Sequence, residues 1–290
     1  MRTPRIYLDK GVFKKFNPIT LSSHGFQVCF SQAVLLDLKN DKTDSYKVEL
    51  EGLTNSKALF LYENDGNVYG EERDALKEFY SIDRSVVNFI APAYRFINGG
   101  GPEHSLFDAM EQQMRLISSL FNDIEGEEIL RVTQKMIEDI PAEEKDSMKS
   151  IKSSNLRSEI QAATQKWSKK AKGCEPFDLE AHPEAKSALK HLLPDYPSNF
   201  SEILHSAMLL GSRQIGPDRG ITSPQHEKSL SAAQNGYIDC LHIAYGLHCD
   251  LFITSDCGTF IRFNVLKDLW NLKKHAALCE KAPRGAPPSH

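Results

Sequence analysis

Two short apolar runs near the start of the chain each lead into a segment with helical features. Residues 6–8 predict a strand that stops at Asp9, and residues 25–30 predict a second strand. Ser31 follows the second strand, where its side chain can cap a helix that carries Asp37 about two turns in. Because strands that alternate with helices form a parallel sheet, this pattern predicts an α/β fold class.

The same pattern returns near the end of the chain. Asp239 is predicted to lie in the first turn of a helix, and the short apolar strand that follows ends at Asp256. In an α/β sheet, ligands bind beyond the carboxyl ends of parallel strands, next to helix starts. Asp9, Asp239 and Asp256 are therefore expected to face one crevice. Carboxylates that converge in one cleft repel each other and are seldom kept without a cation, so the pattern predicts a divalent-metal site.

The middle of the chain is dominated by apolar residues that recur at helical spacing. Three helices are expected over residues 106–121, 129–140 and 148–167. A shorter helix is predicted over residues 201–210, and the stretch 211–225, which contains glycines and prolines, is predicted to be a loop that returns to the sheet. Residues 281–290 are predicted to be a disordered tail, because their composition cannot support a packed core.

Composition narrows the class of protein. Of 290 residues, 40% are apolar and 26% are charged, which is ordinary for a globular protein. No apolar run approaches the roughly 20 residues of a membrane span, and the first residues lack the apolar core of a signal peptide. We therefore predict a cytoplasmic protein without a membrane segment, in which Cys29, Cys240, Cys249 and Cys257 are free buried thiols. The net charge of −4 argues against indiscriminate binding of nucleic acid.

Three local motifs occur together. The first is Tyr7-Leu8-Asp9, the second is the stretch VCFSQAVLLD that ends at Asp37, and the third joins DCLHIAY from Asp239 to FITSDCGTF from Phe252. Together they resemble the PIN-domain (PIN-like) family of metal-dependent ribonucleases, over roughly 45 residues at the front of the chain and about 50 near its end. The resemblance implies a PIN-like three-layer fold with a central parallel sheet.

The resemblance also implies a division of the chain. Residues 1–45 and 196–275 would form a discontinuous PIN-like nuclease core, and residues 46–195 would form a mostly helical insertion. The segment 103–146 within the insertion carries 12 acidic and 4 basic residues, which would repel RNA and favour contact with protein. The insertion is therefore a candidate lid, substrate-binding element, partner surface or site of self-association.

In the PIN-domain family, four acids surround Mg²⁺ or Mn²⁺: one after the first strand, one in the following helix, one opening a late helix and one after the next strand. By resemblance, these are Asp9, Asp37, Asp239 and Asp256. Thr254 and Ser255 would support them, since a hydroxyl just before the last acid can hydrogen-bond a carboxylate or a metal-bound water. The second acid is usually glutamate, and aspartate is shorter by about 1.5 Å. We therefore expect Asp9, Asp239 and Asp256 as principal ligands and Asp37 as a supporting ligand.

The resemblance implies endonucleolytic hydrolysis of RNA phosphodiester bonds, with a toxin–antitoxin or defence setting as one context. Mg²⁺ or Mn²⁺ activates water at neutral pH and stabilises the charge that grows on the phosphate, as one ion or as two ions roughly 4 Å apart. Two other functions remain open. One is a catalytically inactive PIN-like scaffold that uses the helical insertion for protein assembly, and the other is a structure-selective DNA nuclease.

Several other side chains have two interpretations each. Lys10, and the cluster Lys166, Lys169 and Lys170, could contact phosphate or single-stranded RNA, or could be solvated lysines in ion pairs or at a helix end. His242 follows Asp239 by one helical turn and could face the cleft, although packing between helices is the favoured interpretation.

Overall fold

The computed structural model of the chain describes residues 2–13, 15–40, 46–97, 179, 183–212 and 225–279. The strands are β1 (Arg5–Leu8), β2 (Gln27–Ser31), β3 (Leu59–Asn64), β4 (Asn67–Glu72), β5 (Leu251–Thr254) and β6 (His275–Leu278). The helices are α1 (Pro18–Ser23), α2 (Gln32–Lys39), α3 (Tyr46–Asn55), α4 (Ala75–Ser81), α5 (Ser85–Ile97), α6 (Pro183–Leu192), α7 (Phe200–Ser212), α8 (His226–Gly246) and α9 (Cys257–Leu269). A 3-10 turn, Lys10–Val12, follows β1.

The strands form one sheet in the order β4-β3-β2-β1-β5-β6. Every neighbouring pair is parallel except β3 and β4, which form an antiparallel hairpin. The predicted α/β class with a mostly parallel central sheet is therefore confirmed, and the arrangement is compatible with a three-layer α/β fold. Strand β1 lies between β2 and β5, with Tyr7 opposite Cys29 on one side and Phe252 on the other.

Strand β1 marks the point where the direction of strand addition in the sheet reverses. From β1 the chain adds β2 and β3 on one side, and it later adds β5 and β6 on the other side. A reversal of this kind leaves an opening beyond the carboxyl ends of the two central strands, where ligands of open α/β sheets bind. Asp9 follows β1 and Asp256 follows β5, so both acids begin at this opening.

Local signals at the start of the chain agree with the structure. Strand β1 ends immediately before Asp9, and the Ser31 side chain accepts a hydrogen bond from the Ala33 backbone amide at the start of α2. Helix α7 covers residues 200–212, which includes the predicted helix over 201–210. A serine that accepts this bond satisfies an amide that has no partner within the helix, which fixes where α2 begins.

Two strands from the range 46–195, which the sequence assigned to the insertion, are part of the central sheet. Strand β3 lies within the predicted insertion, yet it pairs in parallel with β2 and belongs to the central sheet. The apolar run 58–62 and the turn Asp65-Gly66 form a strand and hairpin because β2 offers β3 a free edge. Leu189 of α6 also belongs to the buried core. The predicted helices over 106–167, most of the loop 211–225 and the tail 281–290 lie outside the described residues.

Two further expectations are corrected. Helix α8 begins at His226, so Asp239 lies about three and a half turns inside it and not in its first turn. Cys29, Cys240 and Cys249 are buried thiols outside any disulfide, as predicted, whereas Cys257 is disulfide-bonded. Among the helices of the described residues, none has the length and apolar character required to cross a membrane.

Candidate metal centre

Asp9 is held in place by the ends of the two central strands. Its backbone amide donates to the Ile253 carbonyl at 2.9 Å, which continues the β1–β5 ladder by one residue. Its carboxylate accepts a hydrogen bond from Thr254 Oγ1 at 2.6 Å and another from the Gly11 amide at 3.2 Å. The side chain is largely buried, at 7% residue exposure. Asp9 therefore presents a carboxylate of fixed orientation at the mouth of the crevice.

Thr254 connects Asp9 to Asp256. While Thr254 Oγ1 donates to Asp9, it accepts the Asp256 backbone amide at 2.9 Å. The Asp256 carboxylate caps α9 by accepting the Thr259 amide at 2.8 Å. The predicted supporting contact between Thr254 and a carboxylate is therefore present, and its partner is Asp9. The neighbouring Ser255 hydroxyl lies where a side chain on Gly11 would have to go.

His242 lies close to the carboxylates of both Asp37 and Asp9. Nε2 of His242 lies 3.0 Å from Asp37 Oδ2 and 3.9 Å from Asp9 Oδ1. One ligand atom from each of these three residues lies within 4.8 Å of the others. The three side chains come from the end of β1, from α2 and from α8, which are far apart in the sequence. We call Asp9, Asp37 and His242 the acid–histidine group.

The opposite side of the His242 ring is also occupied. Nδ1 of His242 lies 3.0 Å from the Tyr7 hydroxyl, which in turn lies 2.7 Å from Ser31 Oγ. The Tyr7 and His242 rings meet edge to face, with centroids 5.8 Å apart. His242, Tyr7 and Ser31 are all buried. The histidine therefore has a partner at each ring nitrogen. It is packed in the interior beside Tyr7, and its Nε2 also faces the carboxylates of Asp37 and Asp9.

The electrostatic environment of the acid–histidine group is negative. Burial by itself lowers the pKa of His242, but the hydrogen bond that His242 donates to Asp37 and the charges of Asp9, Asp37 and Asp256 together raise that pKa above its ordinary value. The negative charge of these carboxylates is therefore strong enough to outweigh the desolvation of a fully buried ring. A cation bound near His242 Nε2 would experience the same attraction.

The geometry and chemistry of the acid–histidine group fit a divalent ion. Around an ion with bonds of about 2.1 Å, adjacent ligand atoms are roughly 3 Å apart and opposite ones roughly 4 Å apart. The two distances from His242 Nε2 to the carboxylates, 3.0 Å and 3.9 Å, fall in this range. Carboxylate oxygen and imidazole nitrogen are both common ligands of divalent metals in proteins.

Asp239 has a different environment from the one predicted. Its Oδ2 lies 3.8 Å from Nη2 of Arg262, whose side chain is fully buried. Nη1 of Arg262 also donates to the Tyr94 hydroxyl at 3.1 Å. Neither Asp239 nor Asp256 belongs to the group whose ligand atoms meet within 4.8 Å, in the part of the chain that the structure describes. A helical spacing of three residues would have indicated that Asp239 and His242 share one side of α8.

The predicted substrate-binding lysines divide into two sets. Lys10 Nζ donates to the Asp37 carbonyl at 3.2 Å, so a positive charge lies at the rim of the acid–histidine group. Lys166, Lys169 and Lys170 lie outside the described residues.

Together, the fold and the site define an α/β protein with an acid–histidine group at the carboxyl edge of its central sheet. Comparison with protein-family models, with curated proteins and with solved structures finds no match for this chain.

Proposed function

We propose that this protein is a metal-dependent endoribonuclease with a PIN-like core. The observation that carries the proposal is the convergence of Asp9, Asp37 and His242 beyond the carboxyl ends of the central strands. The order of the acids along the fold also supports it, since Asp9 follows the first strand, Asp37 lies in the helix after β2 and Asp256 follows β5. Asp9, Asp37 and Asp256 are three of the four acids that the resemblance implies.

In this proposal, Asp9, Asp37 and His242 hold Mg²⁺ or Mn²⁺. The bound ion would activate water and stabilise the charge that develops on the phosphate during hydrolysis. Thr254 orients the Asp9 carboxylate, and Lys10, whose Nζ contacts the Asp37 carbonyl, places a positive charge where an RNA phosphate would approach. Asp256 adds negative charge near His242 and is available to extend the ligand set.

The test measures cleavage of mixed RNA by purified full-length protein with Mg²⁺ or Mn²⁺ at pH 7.5–8. The variants Asp9→Asn and Asp37→Asn remove ligand charge with almost no change of shape. Asp268→Asn is the matched control, because Asp268 is exposed near the C-terminal end of α9, where it pairs with the adjacent Lys267. Loss of cleavage in the first two variants, with full cleavage in the control, would support the proposal.

Other outcomes would contradict it. Equal activity in all preparations would indicate a contaminating nuclease. Competition among single-stranded RNA, single-stranded DNA and forked DNA separates RNA hydrolysis from the alternative of a structure-selective DNA nuclease. Preferential cleavage of forked DNA would identify DNA, and not RNA, as the substrate.

A catalytically inactive scaffold is the second candidate, and the ion pair between Asp239 and Arg262 favours it. An arginine that engages one of the expected ligands reduces the negative charge available to metal. In that case the protein would bind neither Mg²⁺ nor Mn²⁺ and would be inert on all three nucleic-acid substrates. Association with itself or with a protein partner would then be the property to measure.

A further inference from the structure

We infer that His242 is a nitrogen ligand of the metal, that Tyr7 is the positioning residue which makes His242 Nε2 available, and that the centre therefore prefers first-row transition ions to Mg²⁺. This inference rests on the metal centre of the proposed function, and it adds the class of ion that the centre selects. The resemblance implied four carboxylates, which do not discriminate in this way.

The first step concerns the direction of the imidazole. Nε2 of His242 is directed at carboxylates from two different elements, at 3.0 Å from Asp37 and 3.9 Å from Asp9. The ring is fully buried, and its Nε2 cannot turn away from the carboxylates without loss of the hydrogen bonds to Tyr7 and Asp37. An ion between the carboxylates would therefore meet nitrogen as its third donor.

The second step concerns the proton on the ring. A neutral imidazole carries one proton, and only the nitrogen without it can bind metal. When an ion takes the place of the Nε2 proton that bonds Asp37, Nδ1 keeps a proton and donates it to the Tyr7 oxygen, and Nε2 offers its lone pair to the ion. Tyr7 can accept this bond because its own proton can be donated to Ser31 Oγ at 2.7 Å. The Tyr7–Ser31 pair thus stabilises the tautomer that binds metal.

The third step concerns the choice of ion. Mg²⁺ prefers oxygen ligands and retains its waters, whereas first-row transition ions accept imidazole readily. Among the divalent first-row transition ions, Mn²⁺ has the lowest affinity for a given set of ligands. A preference for Mn²⁺ over Mg²⁺ is therefore the most demanding test of the inference. We expect Mn²⁺ to bind more tightly than Mg²⁺ by on the order of tenfold or more.

The experiment uses full-length protein and two readouts that do not depend on activity. Isothermal titration calorimetry measures the affinity for Mn²⁺ and for Mg²⁺, and pulsed electron paramagnetic resonance detects ¹⁴N coupled to bound Mn²⁺. Tyr7→Phe removes one hydroxyl and keeps the ring. Tyr69→Phe is the matched control, because it makes the same change at an exposed tyrosine on the edge strand β4.

The expected results are ¹⁴N coupling in the wild type, loss of that coupling in His242→Gln, and Mn²⁺ affinity weakened about 10- to 100-fold by Tyr7→Phe. Magnesium binding should change less, and Tyr69→Phe should leave both affinities unchanged. Circular dichroism checks the fold; if His242→Gln does not fold, the wild-type spectrum and Tyr7→Phe still decide the question.

Three results would overturn the inference: bound Mn²⁺ without ¹⁴N coupling, equal affinity for Mg²⁺ and Mn²⁺, or unchanged Mn²⁺ affinity in folded Tyr7→Phe. Its failure is distinguishable from failure of the proposed function. RNA cleavage with no ¹⁴N coupling would contradict the inference and still support the proposed nuclease activity. In contrast, ¹⁴N coupling and Mn²⁺ preference without any cleavage would contradict the nuclease activity and still support the metal site.

Discussion

Asp239 and Arg262 form an ion pair between α8 and α9, with Nη2 3.8 Å from Oδ2. The guanidinium is fully buried, and a buried cation requires a counter-charge. Asp239 therefore contributes to stability through Arg262, and His242, one turn further along the same helix, is the α8 residue of the acid–histidine group. Asp239 thus pairs with a buried cation, and His242 occupies the place beside Asp9 and Asp37 that the sequence predicted for Asp239.

The first prediction follows from that separation. Asp239→Asn should lower the free energy of unfolding by about 1–3 kcal/mol, since it leaves the Arg262 charge less compensated at a partly exposed position. Its Mn²⁺ affinity should stay within about threefold of the wild type, in contrast to Asp9→Asn. Urea unfolding and calorimetry measure the two quantities. An Asp239→Asn protein of normal stability that no longer binds Mn²⁺ would restore Asp239 as a principal ligand.

The second prediction concerns the hydroxyl of Thr254. Thr254→Val keeps the shape of the side chain but removes the 2.6 Å bond to Asp9 and the acceptor for the Asp256 amide. Mn²⁺ affinity should fall about 10- to 100-fold because the Asp9 carboxylate loses its orienting donor. Thr254→Ser keeps the hydroxyl and should bind Mn²⁺ nearly as well as the wild type. Equal affinity of the valine and serine variants would show that the hydroxyl does not orient the ligand.

The third prediction separates the two properties of Asp256. Asparagine is as good a helix cap as aspartate, so Asp256→Asn should preserve stability, whereas Asp256→Ala should lose about 1 kcal/mol with the bond to the Thr259 amide. If Asp256 extends the ligand set, both variants should weaken Mn²⁺ binding, and Asp256→Ala should weaken it at least as much as Asp256→Asn because asparagine keeps an amide oxygen. Unchanged Mn²⁺ affinity in Asp256→Asn would restrict this residue to capping α9. Thermal unfolding and calorimetry provide the comparison.

The fourth prediction concerns pH and lies away from the proposed metal. Burial, together with the charges of Lys274 and Arg5, lowers the pKa of His248 to about 4. Below the unfolded-state pKa of about 6.5, the unfolded chain takes up a proton that the folded protein does not, so stability falls as the pH drops.

Between pH 7.5 and 4.5, the wild type should therefore lose about 2–3 kcal/mol more of its free energy of unfolding than His248→Gln does. Urea unfolding at both pH values measures this difference, and the shared losses from other groups cancel in the comparison. The same loss in both proteins would mean that His248 titrates normally in the folded state.

Local signals made part of this structure predictable. The end of β1 at Asp9 and the Ser31 cap of α2 depend on a few adjacent residues, and the sequence shows them directly. The start of α8 was misjudged because its apolar stripe becomes strong only near Asp239, while packing against α5 and α7 extends the helix back to His226. Tertiary packing thus overrides a weak local pattern.

Strand β3 is a second element that the local sequence pattern did not predict. Its apolar residues could belong to a strand or to a buried helix, and periodicity alone does not separate the two for so short a run. Pairing with the free edge of β2 makes this segment a strand, and that partner lies about 30 residues earlier in the chain. The sequence could therefore predict a parallel sheet without predicting all its strands.

By itself, the sequence determined the α/β class, the acids that follow β1 and β5, and the hydroxyl at Thr254, because each depends on neighbours along the chain. Only the tertiary structure decided that Asp239 pairs with Arg262 while His242 meets Asp37 and Asp9. These partners are 23 to more than 200 residues apart in the sequence. Which of them meet depends on the face that α8 turns toward the sheet, and that face is set by packing among several helices.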